Sequence, residues 1–267
     1  MKTDLAVIVS DLHCGSVVGL APPSTETEHG NKIGFGNNLH QEWLWNNWQS
    51  AIKQVRKIIG KSQAVLFVNG DATEGVHHHN GSEILAENIE THVNMAHECL
   101  QPMAEMCEHV FIVQGTECHT KNMETLLAQR LAAVDAKAKD KWLVRINGVL
   151  MDVAHHMPTS GRAYLEASAM SICMGNARQN YQRCGHEVPR IFLRAHRHCG
   201  GHYSDGNGLF AATGAWQWLT RQGHKVVTDS IPRPSINILD WRNRKEGELP
   251  DVREIVFNPP PHEITEI

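Results

Sequence analysis

Apolar residues in this chain gather into short runs, and the first three runs each halt at a polar cluster. "LAVIV" (5–9) halts at Ser10-Asp11, "AVLFV" (64–68) at Asn69-Gly70-Asp71, and "VFIV" (110–113) at Gln114-Gly115. Short, β-branched runs of this kind read as buried strands. Between them the period changes. Trp43, Leu44, Trp48, Ala51, Ile52, Val55, Ile58 and Ile59 recur at helical spacing, which predicts a helix over 40–59. Ile84, Leu85, Ile89, Val93, Ala96, Leu100 and Met103 predict a second helix over 83–107, and a third is expected over 122–138. Alternating strands and helices point to parallel crossover units with helices covering a sheet.

The second half is richer in strands. "WLVRINGVLMDVAHH" places two strand-like runs around Asn147-Gly148, a strong hairpin signal. A helix is expected over 160–184, with Tyr164, Leu165, Ala169, Ile172 and Cys173 on its apolar face. "RIFLRAHRH", "GLFAATGAW", "SINILDW" and "REIVF" read as further strands. The stretch 14–38 is expected to be a long loop, the kind that often serves binding, and 258–267 a surface tail. No internal repeat and no change of composition marks a boundary, so 1–267 is expected to form one domain.

Composition narrows the function classes. Over 267 residues the formal net charge is -4, and Lys and Arg are dispersed. No basic run suited to tracking a duplex is present. No apolar run approaches the ~20 residues of a membrane span, and the first residues do not read as a signal peptide. Seven scattered Cys without framework spacing fit a reduced, cytoplasmic compartment. The outlier is histidine, with 18 residues. Histidine is the commonest metal ligand and a frequent proton carrier.

Position decides which histidines matter. The first strand is followed by Asp11 and His13, the second by Asp71, the third by Glu117 and His119. The hairpin ends at His155 and His156, and a later strand at His196 and His198. In open α/β sheets ligands bind at the carboxyl ends of strands. If the chain stays extended, residues i and i+2 face one side, so Asp-x-His and His-x-His would each offer two groups to one pocket. Mixed carboxylates and imidazoles suit Mn²⁺, Fe, Zn²⁺ or Ni²⁺.

The motifs "SDLH" (10–13), "NGD" (69–71), "QGTECH" (114–119), "AHH" (154–156) and "AHRH" (195–198), in that order, resemble those of the calcineurin-like metallophosphoesterases. The third motif is similar to that of phage- and prophage-encoded members. The resemblance implies an α/β fold, a four-layer αββα sandwich of two mixed sheets flanked by helices. It implies two divalent transition-metal ions, Mn²⁺ first, with Fe, Zn²⁺ or Ni²⁺ as alternatives. Asp11, His13 and His198 would hold the first ion, Asp71 would bridge, and His155 and His196 would hold the second, with His156 as the fallback for His155.

The third motif departs from the family's Gly-Asn-His-Asp/Glu. Thr116 stands where Asn is expected and Glu117 where His is expected. Three readings stay open. Glu117 replaces Asn as a ligand and His119 becomes the acid; Cys118 ligates as thiolate; or the site is degenerate. The first is preferred.

The implied activity is hydrolysis of a phosphodiester or phosphomonoester, a nucleotide among the candidates, by a metal-activated hydroxide. Asp71 and His119 are the expected catalytic residues. Arg197, Arg162 and His77-His78-His79 are candidate phosphate contacts. Two alternatives remain. One is a metal-dependent nuclease on short or single-stranded nucleic acid, with Trp216 and Trp218 stacking bases. The other is a catalytically degenerate, metal-stabilised binding protein.

Overall fold

The computed structural model describes the chain apart from residues 1–2, 28, 77–82, 118–121, 132–134, 158–164, 222, 224–230 and 261–267. The expectations for His77, His78, His79, Cys118, His119, Arg162 and Tyr164 lie outside the described residues, as does the end of the surface tail.

The three crossover units form as the periodicity predicts. Strand β1 (Leu5–Val9) leads through two two-residue strands, β2 (Thr25–Glu26) and β3 (Lys32–Ile33), to helix α1 (Leu39–Ile59). Strand β4 (Ala64–Asn69), helix α2 (Ile89–Ala104), strand β5 (His109–Val113) and helix α3 (Met123–Arg130) follow. Then come β6 (Ala136–Lys139), β7 (Lys141–Ile146), β8 (Val149–Ala154), helix α4 (Glu166–Arg183), β9 (Ile191–Arg194), β10 (Gly201–Ser204), β11 (Leu209–Ala212), β12 (Ser235–Asp240) and β13 (Asp251–Val256).

The strands build two mixed sheets, in the orders β13-β12-β1-β4-β5-β6 and β10-β11-β9-β8-β7. Alternation along each strand sorts side chains into separate cores. Leu5, Val7 and Val9 of β1 pack with α1, α2 and α3, whereas Ala6 and Ile8 face the second sheet. Leu66 and Val68 of β4 follow the first set, Val65 and Phe67 the second. Across the gap, Met151, Val153, Ile191 and Leu193 complete the inter-sheet core, and the Trp142 indole donates to Ile112 O at 2.8 Å, joining the sheets. Phe192 and Phe210 point outward and pack with Met170 and Met174 of α4. The result is a four-layer αββα sandwich of two mixed sheets between helices.

Several expectations need correction. Helix α2 starts at Ile89, because the Asn88 side chain caps it by accepting from Glu90 N; Ile84 instead bridges to Ser16. Helix α3 ends at Arg130. The Ala136–Lys139 stretch, with lysines alternating with alanines, forms the parallel edge strand β6, and lysines suit an exposed edge. Ile172 is 61% exposed, and α4 buries Met170 and Met174 instead. Residues 14–22, the start of the expected long loop, are packed into the fold. They are mostly buried, and the Gln41 amide of α1 donates to Ser16 O and Gly19 O. Asn38 caps α1 and also donates to Val17 O. Trp216 is fully buried, edge-on to Trp48 at 4.7 Å, so it offers no stacking face; Trp218 is half-buried against Trp43.

The predicted hairpin is present. Asn147 and Gly148 both have positive φ, as a tight turn between β7 and β8 requires.

Candidate metal centre

The carboxyl ends of β1, β4, β5, β8 and β9 converge on one edge of the sandwich. Beyond the strands the backbone keeps pairing. Asp11 N donates to Gly70 O, His13 N to Asp71 O, and Ala195 N to His155 O. These bonds lock the segments carrying Asp11, His13, Asp71, His155 and His196 side by side. Gly70 and Gly115 allow the close approach. A Cβ at Gly70 would collide with the His155 ring, and one at Gly115 with the Asp71 carboxylate.

Three groups of donor atoms result: Asp11, His13 and His198; Asp11, Asp71 and His155; and His155, His156 and His196. Asp11 and His155 are each shared, so the three form one continuous patch. Seven residues were expected as ligands, and six of them lie in this patch: Asp11, His13, Asp71, His155, His196 and His198. Glu117 is exposed and belongs to none of the groups, and His119 lies outside the described residues. The structure adds His156, which is exposed, while its neighbour His155 is 1% exposed.

The geometry of the pairs is not that of extended chain. Asp11, His13, Asp71, His196 and His198 all take positive φ, and they are five of the eight described non-glycine residues that do so. Left-handed backbone costs about 1–2 kcal/mol per such residue. A concentration of that cost at one edge marks a site whose function needs the side chains aimed this way. Residues two apart in sequence thus meet at the site through left-handed rather than extended backbone.

Two of the imidazoles, His155 and His13, have the far nitrogen anchored. His155 Nδ1 donates to Asn69 O at 2.7 Å, leaving Nε2 toward Asp71 Oδ2 at 3.0 Å. His13 Nδ1 donates to Glu74 Oε2 at 2.9 Å, leaving Nε2 facing His198 Nε2 at 3.2 Å. Thr116 also contacts the centre. Its N–H donates to Asp71 Oδ1 at 2.6 Å, and its hydroxyl lies 3.1 Å from both Asp71 Oδ2 and His196 Nδ1.

Burial and charge oppose one another here. Burial alone lowers His155, but the Asp71 hydrogen bond and the charges of Asp11 and Asp71 outweigh it and lift it to about 9. Burial likewise lowers His13, and the Glu74 bond and charge reverse the sign. At His198 burial wins, with the His13 charge adding to it, and the ring is pushed down to about 4. The carboxylates thus favour protonation of His13 and His155, and burial opposes it at His198.

These residues fit a divalent ion. Asp11 Oδ1 is buried with no hydrogen-bond partner among the described residues. His198 Nε2 lies 3.5 Å from it and His155 Nε2 3.9 Å, too far for a good hydrogen bond. Donor atoms ~2.1 Å from one ion stand roughly 3–3.5 Å apart, close to this spacing. Nitrogen and carboxylate oxygen together suit Mn²⁺, Fe, Zn²⁺ or Ni²⁺.

Sequence reading missed Glu74, and held His156 only as an alternative to His155, whereas both lie in one donor group. Glu74 lies in "NGDATEG", but nothing in that string says which ring its carboxylate meets.

No protein-family model matches the chain, and no curated protein matches it. Solved structures similar to it include an archaeal phosphodiesterase, 13% identical, covering 95% of this chain and 99% of that one, with a TM-score of 0.48. Vps29 from Entamoeba histolytica, solved with Zn²⁺, is 12% identical over 95% of this chain and 99% of its own, with a TM-score of 0.44. An uncharacterised Streptococcus pneumoniae protein, described as a predicted phosphoesterase, is 13% identical over 96% and 99%, with a TM-score of 0.37. No helix among the described residues is long and apolar enough to cross a membrane.

Proposed function

We propose that this chain is a metal-dependent phosphoesterase that holds two divalent transition-metal ions, Mn²⁺ foremost, and hydrolyses a small phosphodiester or phosphomonoester. A nucleotide is the leading substrate class. The observation that carries the reading is the buried, unpartnered Asp11 Oδ1 with His198 Nε2 and His155 Nε2 around it. The motif order of the sequence supports it independently.

Asp11, His13 and His198 would hold one ion and His155 and His196 the other, with Asp71 available to both. When bound, such a pair acts as a Lewis acid, lowering the pKa of water and polarising a phosphoryl oxygen. The protein's own part is positioning. Asp11 and Asp71 supply buried negative charge, and Asn69 O and Glu74 fix the tautomers of His155 and His13. The Thr116 N–H and hydroxyl hold the Asp71 carboxylate. Arg197, between His196 and His198, is the proposed contact for the substrate phosphate. His119 is proposed to protonate the leaving oxygen.

The test is metal content of the purified protein by mass spectrometry, with bis-p-nitrophenyl phosphate hydrolysis measured with and without Mn²⁺. Two ions per chain with Mn²⁺-dependent turnover is the expected result. Failure to take up Mn²⁺, together with no hydrolysis when Mn²⁺ is supplied, would overturn the reading. A second reading, a metal-stabilised binding protein without turnover, is favoured by Glu117 lying exposed and outside the donor groups. Mn²⁺ uptake without hydrolysis would select it.

A further inference from the structure

Glu74 is absent from every donor group, yet it is buried beside one. Its side chain is 4% exposed and that of His13 is 3% exposed. The two come together because the segments after β1 and β4 continue as a parallel pair. Cys14 bridges Thr73, and Glu74 N donates to Cys14 O at 2.9 Å. Glu74 therefore stands next to the residue after His13, with its carboxylate reaching back to the ring. Oε2 accepts from His13 Nδ1 at 2.9 Å and from Gln217 Nε2 at 3.2 Å. Gln217 is itself held by a bridge to Gly19, in the buried segment pinned to α1.

We infer that Glu74 is the positioning residue of the metal centre: it holds His13 with Nδ1 protonated and Nε2 presented beside Asp11 and His198. The inference rests on the metal reading above and deepens it. A carboxylate on the far nitrogen of a ligating imidazole fixes its tautomer and rotation and raises the basicity of the nitrogen facing the ion. A backbone carbonyl does the orienting at His155. The His13 side of the centre thus has a charged anchor and the His155 side a neutral one. This predicts that the two halves of the centre respond differently to one substitution.

The experiment uses Glu74→Gln, which keeps the size and an oxygen acceptor but removes the charge, in two backgrounds. In His196→Ala, the Asp11, His13 and His198 group stays intact, and Glu74→Gln is expected to weaken Mn²⁺ binding about 10-fold or more by calorimetric titration. In His198→Ala, where that group is broken, Glu74→Gln is expected to change Mn²⁺ affinity less than twofold. The metal-free melting temperature of Glu74→Gln should stay within about 2 °C of wild type.

Unchanged Mn²⁺ affinity in the His196→Ala background would overturn the inference while leaving the metal reading standing. Equal weakening in both backgrounds, with a matching fall in metal-free melting temperature, would make Glu74 a general structural residue and also overturn it. A wild-type chain that takes up no Mn²⁺ would overturn the metal reading and the inference together. As a second variant, Glu74→Ala is expected to lose more affinity than Glu74→Gln in the His196→Ala background.

Discussion

His13 Nε2 and His198 Nε2 face each other at 3.2 Å, among three buried carboxylates, Asp11, Asp71 and Glu74. Two protonated rings cannot share that space without strong repulsion. Against the pull of burial, the Glu74 carboxylate raises His13, whereas burial pushes His198 down to about 4, so the two rings are driven to take up protons at different pH.

Metal uptake therefore competes with protons. His155, at about 9, and His13, also raised, must both be neutral to ligate. Loading should release protons, and Mn²⁺ affinity should rise with pH from about 6 to about 9. Titration calorimetry in buffers of different ionisation enthalpy checks this. A pH-independent affinity would contradict it.

Removing metal should lower the melting temperature, because Asp11 and Asp71 lose their counter-charge. Adding Mn²⁺ at ~100 times its dissociation constant should stabilise the fold by about 2.7 kcal/mol per ion. Scanning calorimetry with EDTA, then with Mn²⁺, reads the difference.

Asp71→Asn keeps the shape and removes the charge between His155 and Thr116. Hydrolysis should fall by roughly 100-fold or more, beyond the usual cost of losing an orienting partner. The fold should be largely kept, as circular dichroism would report. Should the variant instead lose metal and stability while the wild-type chain shows no turnover, the binding-protein reading gains.

Thr116 and Glu117 make a contrasting pair. Thr116→Ala removes the hydroxyl that meets Asp71 and His196, and should cost about 1 kcal/mol of stability and up to about 10-fold in Mn²⁺ affinity. Thr116→Ser should restore most of it. Glu117→Ala alters an exposed side chain and should leave metal affinity near wild type. The reverse order would return the ligand role to Glu117.

Glu124, in the first turn of α3, is fully buried, and burial pushes its carboxyl up to about 8, the Asp71 charge adding to this against the pull of backbone amides. Between its ordinary 4.5 and about 8, the folded chain keeps a proton that the unfolded chain has released. The resulting stability is full below 4.5 and drains away as pH rises through about 8. Glu124→Gln should flatten the slope, with a gain at high pH on the order of 2–4 kcal/mol. Denaturant unfolding in EDTA at pH 5.5 and 8.5, in both proteins, measures it.

Much of the fold was legible because its strands are buried and its helices one-sided. The runs at 5–9, 64–68 and 110–113 and the turn at Asn147-Gly148 carry local patterns that reflect the burial directly. The helix expected over 122–138 is present over Met123–Arg130 and stops short of 138, because alternating Ala and Lys at 136–139 carry weak local preference. Pairing with β5, a non-local event, made them a strand.

The local pattern determined that Asp11, Asp71, His155 and His196 follow strands, because the apolar runs give out just before them. It did not determine their backbone. Positive φ at five candidate ligands is imposed by long-range bonds such as His13 N to Asp71 O, which no spacing rule encodes. Tertiary structure alone decided that Glu74 meets His13, that Thr116 touches Asp71, and that Glu117 stays in solvent. Each depends on which of several neighbouring side chains fills a pocket formed by distant segments, and that choice exists only once both sheets are packed.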